Sequence, residues 1–75
     1  MPSITIYTQP KCVQCDSTKR FLDKNGVAYS VVDLTADATA YQQVREMGFT
    51  SAPVVITDTE KWSGFRLEKL KALVA

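Results

Sequence analysis

Seventy-five residues make one domain, 1–75, with no room for a second, near the lower limit at which a chain buries enough apolar surface to fold unaided. Apolar residues are 45% of the chain, and nine basic side chains stand against eight acidic ones, interspersed rather than blocked, which argues against a nucleic-acid or membrane surface. Met1-Pro2-Ser3-Ile4 carries neither a basic start nor an apolar signal core, and no apolar run approaches membrane length, so a cytoplasmic protein is expected.

Ile4–Thr8 is β-branched and aromatic and stops at Gln9-Pro10-Lys11, which predicts a first strand followed by a turn. From Cys12 to Asn25 the less polar positions Cys15, Thr18, Phe21 and Leu22 recur at helical spacing, with Asp16, Lys19, Arg20, Asp23 and Lys24 on the other side and Asn25-Gly26 as the stop. Val27–Leu34 predicts a second strand, and its nearly continuous apolar character suits an interior position covered on both faces. Thr35-Ala36-Asp37 offers caps for a second helix running to Met47, with Ala40, Tyr41, Val44 and Met47 as one stripe and Gly48 as its end. The β-α-β unit should cross over right-handed. Pro53–Thr57 predicts a third strand, Asp58-Thr59-Glu60 a turn, Lys61–Ser63 a short fourth strand, and Leu67, Leu70, Leu73 and Val74 a last amphipathic helix.

The chemistry lies in Cys12-Val13-Gln14-Cys15, between the first strand and the first helix. Two thiols at this spacing on a helix start share a face within disulfide reach, and the unpaired N–H groups there favour a thiolate on the first. The pair reads as a redox dithiol. Cys12, at the helix start, is the candidate nucleophile, and Cys15, one turn inside, the resolving thiol. A structural zinc site needs four ligands, whereas the chain has no third cysteine and no histidine, so no metal site is expected within one chain. The bland alternative is two inert core thiols, and the alternative from another class is an iron–sulfur or metal-carrying module completed by a second chain and external thiols. Lys11 has two readings, a charge that aids the thiolate or a solvated and screened lysine.

The order β-α-β-α-β-β-α with a Cys-x-x-Cys at its first helix resembles the thioredoxin fold in its small glutaredoxin form. That is an α/β fold with a central four-stranded mixed sheet flanked by three helices. The dipeptide Val13-Gln14 and the segment Trp62-Ser63-Gly64-Phe65-Arg66 together look like those of the NrdH-redoxins, glutaredoxin-like electron donors to class Ib ribonucleotide reductase. The resembled family continues that segment with proline and aspartate, where this chain has Leu67-Glu68, which puts the cap of the last helix in question.

The resemblance implies a thiol–disulfide oxidoreductase with no bound cofactor beyond its own Cys12–Cys15 disulfide, reduced by NADPH through thioredoxin reductase and donating to the ribonucleotide reductase as a monomer. It further implies a cis Pro53 facing the dithiol, with the backbone at Ala52 free to pair an extended substrate segment. The expected partner-binding rim is Lys11, Val13, Gln14, Ala52, Pro53, Trp62, Ser63, Gly64 and Phe65. Trp62 and Phe65 also have a plain reading as core residues beside a Gly64 turn, and Gln14 one as a solvent-facing residue. The near rival is a glutathione-dependent glutaredoxin, separated from the first reading by the absence of polar groups for the carboxylates of glutathione in this segment.

Overall fold

The structure, a computed structural model, describes residues 3–74. Its elements in chain order are β1 (Thr5–Thr8), α1 (Val13–Lys24), β2 (Ser30–Asp33), α2 (Ala38–Glu46), β3 (Val54–Ile56), β4 (Lys61–Ser63) and α3 (Leu67–Val74). One four-stranded sheet has the spatial order β2-β1-β3-β4. β1 runs parallel to β2, with Ile6 opposite Val31, and antiparallel to β3, with Ile6 opposite Val55. β4 closes the other edge antiparallel to β3, with Val55 opposite Trp62. The expected α/β fold, a mixed sheet with three helices, is the one observed.

The period of two along a strand sends alternate side chains to opposite faces. Ile6, Val55 and Trp62 share one face and form the core with Ile4, Leu22 of α1 and Leu70 of α3, flanked by Phe21, Val27, Tyr29 and Leu73. On the other face Val54 lines a small cavity together with Leu34, Tyr41, Val44 and Phe49. At about 0.05–0.15 kcal/mol per residue, a chain this short is held by roughly 4 to 11 kcal/mol in all. Each fully buried aliphatic residue is therefore a large share of its stability.

Two expectations need correction. β2 is an edge strand of four residues, not an interior one: Val31 is 49% exposed, and Ser30 and Asp33 are exposed with it. Its apolar run is explained by the approach to the strand, where Val27 and Tyr29 pack on the core from outside the sheet. A short edge strand bearing a charge also discourages pairing with another chain. The stripe of α2 is likewise narrower than the spacing suggests. Ala40 and Val44 are buried, but Tyr41 and Met47 are largely exposed, so only part of the stripe is covered.

Candidate active site

Cys12 occupies the N-cap of α1 with extended backbone (φ −107°, ψ 102°), and its Sγ accepts the Cys15 N–H at 3.1 Å. An N-cap acceptor satisfies one of the donors left unpaired at a helix start. Here the acceptor is the sulfur that must carry charge when reduced. Cys12 and Cys15 form a disulfide with their Cα atoms 5.2 Å apart. Cys12 is partly accessible, whereas Cys15 is 1% exposed and lies inside the helix. The two sulfurs are thus unequal, one able to meet a partner and one able only to meet the other sulfur.

The turn that delivers Cys12 passes through Lys11, whose φ of +58° places a non-glycine residue in the left-handed region. That conformation costs an L-residue on the order of 1–2 kcal/mol. Lys11 is exposed.

The expected rim is assembled by hydrogen bonds between three loops. The Ala52–Pro53 peptide is cis, and the Pro53 carbonyl accepts the Gly64 N–H at 2.8 Å. Ser63 Oγ donates to the Ser51 carbonyl at 3.0 Å, fastening the end of β4 to the loop before β3. Gln14 Oε1 accepts the Phe65 N–H at 3.1 Å, which joins the residue between the cysteines to a loop far along the chain. Gly64 has φ +88°, so the backbone calls for glycine, and a Cβ built there would lie in ordinary contact with Gln14 Oε1 at 3.4 Å. Within α1, the buried Thr18 donates its hydroxyl to the Gln14 carbonyl at 2.9 Å and steadies the same turn.

The expected rim residues are not all at the surface. Val13 is 77% exposed and Phe65 37%, flanking the dithiol with apolar surface. Trp62 is 3% exposed and belongs to the core, so it supports the rim from beneath and offers no face to a partner. Lys69 Nζ lies 5.8 Å over the Trp62 ring and pairs with Glu60 at 2.8 Å, covering the indole from outside. Pro53 is buried and Ala52 half-buried, so that loop presents backbone more than side chain. Ser51 escaped the sequence reading, since a serine before Ala-Pro looks like an ordinary loop residue. Gln14 is exposed, as expected, and its side chain also anchors the 64–65 loop. Among the described residues, no group of three or more His, Cys, Asp or Glu side chains is placed to hold a metal.

A dithiol at the start of a helix over a four-stranded mixed sheet, with one sulfur accessible and the other buried, defines a thiol–disulfide oxidoreductase of the thioredoxin fold. The glutaredoxin family model matches residues 4–62. The chain is 39% identical over 71 residues to the glutaredoxin-like protein NrdH of Salmonella typhimurium, covering 95% of this chain and 88% of that one. It is 44% identical over 73 residues to the gene 56 protein of Mycobacterium phage D29, covering 95% and 81%. Among solved structures, the NrdH-redoxin of Escherichia coli superposes with a TM-score of 0.92 at 38% identity, over 95% of this chain and 93% of that one. That relative is described as a glutaredoxin-like protein with a thioredoxin-like activity profile. The chain belongs to the glutaredoxin family and, within it, to the NrdH glutaredoxin-like proteins.

Proposed function

We propose that this protein is a cytoplasmic, monomeric electron donor that takes electrons from NADPH through thioredoxin reductase and passes them to class Ib ribonucleotide reductase. The observation that carries the reading is the pairing of an accessible N-cap Cys12 with a buried Cys15 beneath a rim of exposed Val13 and Phe65. The Cys12 thiolate attacks one sulfur of the partner's disulfide, a mixed disulfide forms, and the partner's other sulfur leaves as a thiolate. Cys15, having lost its proton, attacks Cys12, re-forms the intramolecular disulfide and releases the partner reduced. Two electrons have moved, and thioredoxin reductase restores them. The rim supports a protein substrate in extended form: apolar contact at Val13 and Phe65 holds it without demanding one sequence, and the backbone at Ala52 orients it by strand addition.

The test is reduction of the oxidised protein by NADPH with thioredoxin reductase, set against NADPH with glutathione and glutathione reductase. Faster turnover with thioredoxin reductase supports the proposal. Equal or faster reduction by glutathione would move the chain to the glutathione-dependent glutaredoxins. Turnover of class Ib ribonucleotide reductase with this protein as the dithiol source tests the acceptor side.

A further inference from the structure

Asn25 is the only asparagine in the chain, and glycine follows it. That dipeptide sets a side-chain amide beside the least hindered backbone nitrogen a chain can offer. It closes α1: Asn25 is the C-cap, exposed, with φ −98° and ψ 8°, and Gly26 follows at φ +66° with open space where a Cβ would stand. The folded turn holds the pair away from reaction. Asn25 Nδ2 donates to the Phe21 carbonyl at 2.8 Å, the Gly26 N–H to the Asp23 carbonyl at 3.2 Å and the Val27 N–H to the Leu22 carbonyl at 3.0 Å. Beyond them the Tyr29 hydroxyl donates to Asp23 Oδ1 at 2.8 Å, tying the far side of the turn to the helix. Attack of the Gly26 nitrogen on the Asn25 side chain needs ψ of Asn25 to swing by roughly a third of a turn, bringing Cβ and that nitrogen to one side of the Cα–C bond. The Asn25 amide must also release Phe21, and the Gly26 N–H must release Asp23.

We propose that Asn25 is a site of spontaneous deamidation, closed in the folded chain by the cap of α1 and opened when the last turn of that helix frays. The Gly26 nitrogen bonds to the side-chain carbonyl carbon of Asn25, its proton passes through solvent to the departing amide, and ammonia leaves. Water then opens the cyclic imide at one carbonyl or the other and returns a proton to nitrogen, leaving aspartate or, with the main chain rerouted through the side chain, isoaspartate. The sum is a hydrolysis, water in and ammonia out, with no change of oxidation state. Neither product restores the cap. The donor to the Phe21 carbonyl is gone, and a negative charge stands where the helix dipole is already negative. Isoaspartate also lengthens the backbone just before Val27, which packs on the core. Helix ends open far more readily than the whole fold does, so the local turn sets the rate. Cys12 lies at the opposite end of α1, and its chemistry is untouched.

The experiment incubates the oxidised protein at mildly alkaline pH, native and in guanidinium chloride, and follows the amide-to-acid mass gain by peptide mapping. With no second asparagine in the chain, the signal belongs to this position. Conversion should be about tenfold or more slower in the native chain than in the unfolded one, the worth of one or two hydrogen bonds that must break first. Tyr29→Phe keeps the ring and removes the bond to Asp23, so it should speed native conversion about three- to fivefold and leave the unfolded rate unchanged. Val44→Ala, which weakens the buried face of α2 instead, should not speed it. Asn25→Asp should lower the urea midpoint while Cys12 of the reduced protein is alkylated at the parent rate. Equal native and unfolded rates would mean that the cap gates nothing, and an intact Asn25 in guanidinium chloride would mean that there is no site. A native rate indifferent to Tyr29→Phe, or raised as much by Val44→Ala, would mean that opening does not run through the last turn of α1. An unchanged midpoint in Asn25→Asp would remove the consequence drawn for the cap; any of these results overturns the proposal.

Discussion

The inequality of the two sulfurs can be tested by alkylating the reduced protein at neutral pH. The donor that Cys12 Sγ meets at 3.1 Å is a backbone N–H at a helix start, and a hydrogen bond to a charged acceptor contributes about 1.5–3 kcal/mol. An ordinary thiol is only a few per cent thiolate near pH 7. Stabilisation of that size raises the thiolate to between about a third and nine-tenths of the population, a gain of roughly ten- to thirtyfold in the reactive form. Cys15, at 1% exposure, reacts more slowly still. Brief treatment with iodoacetamide followed by peptide mass mapping should therefore label Cys12 first, and faster than free cysteine under the same conditions. Cys12→Ser should abolish disulfide reduction, whereas Cys15→Ser should still attack and then stall as a mixed disulfide. Preferential labelling of Cys15, or a Cys12 no faster than free cysteine, would refute the assignment and the role given to the N-cap.

Leu70→Ala, at a side chain fully buried in the core, should cost about 2–5 kcal/mol, read as a fall in the urea midpoint, and an unchanged midpoint would contradict the packing described. Tyr29 donates its hydroxyl to Asp23 at 2.8 Å, and its pKa is pushed up to about 12, first by burial and then by that bond and charge. Because the folded state holds the proton more tightly, this contribution to stability is full below pH 10, the unstrained tyrosine value, and is lost as pH rises through about 12. Thermal melts of Tyr29→Phe should lose the part of the alkaline slope that comes from this group. Val13→Asp should lower kcat/KM toward thioredoxin reductase several-fold with much less effect on a small aromatic disulfide, while Lys24→Glu, in the last turn of α1, should cost only about 0.3–1 kcal/mol of stability and leave reduction intact. Lys11→Gly, at φ +58°, should relieve a backbone cost of about 1–2 kcal/mol, offset in part by the greater freedom of the unfolded chain, whereas the β-branched Lys11→Val should relieve nothing, as denaturant titration would show.

Much of this architecture was legible because its signals are local. The dithiol spacing, the helix stop at Asn25-Gly26 and the β-branched run of β1 each depend on neighbours in sequence. What misled were positions whose burial is decided by elements far along the chain. Val31 looks interior until β2 is seen to pair on one side only, with β1, and Tyr41 looks like core until only Ala40 and Val44 of α2 are seen to be buried. Trp62 read equally as rim or core, and its place opposite Val55 settles it as core. The bond from Phe65 to Gln14 spans fifty-one positions and has no local signature. A polar, exposed residue between two cysteines shows no sign in the sequence that its side chain also holds a distant loop.

The central placing of β1 has a consequence for how the chain comes into being. Its neighbours are residues 30–33 on one side and 54–56 on the other, so Ile6 finds Val31 early in synthesis but must wait for Val55 until most of the chain has been made. Closing such a distant pair carries a loop-entropy cost that no nearby contact offsets in advance. The cysteines stand at the far end of that waiting strand, and the loop that fastens onto Gln14 is made later still. A nascent chain therefore holds its two thiols before it holds the loops that frame them. The loops that frame the dithiol arrive with the last third of the polypeptide, in the same step that completes the sheet.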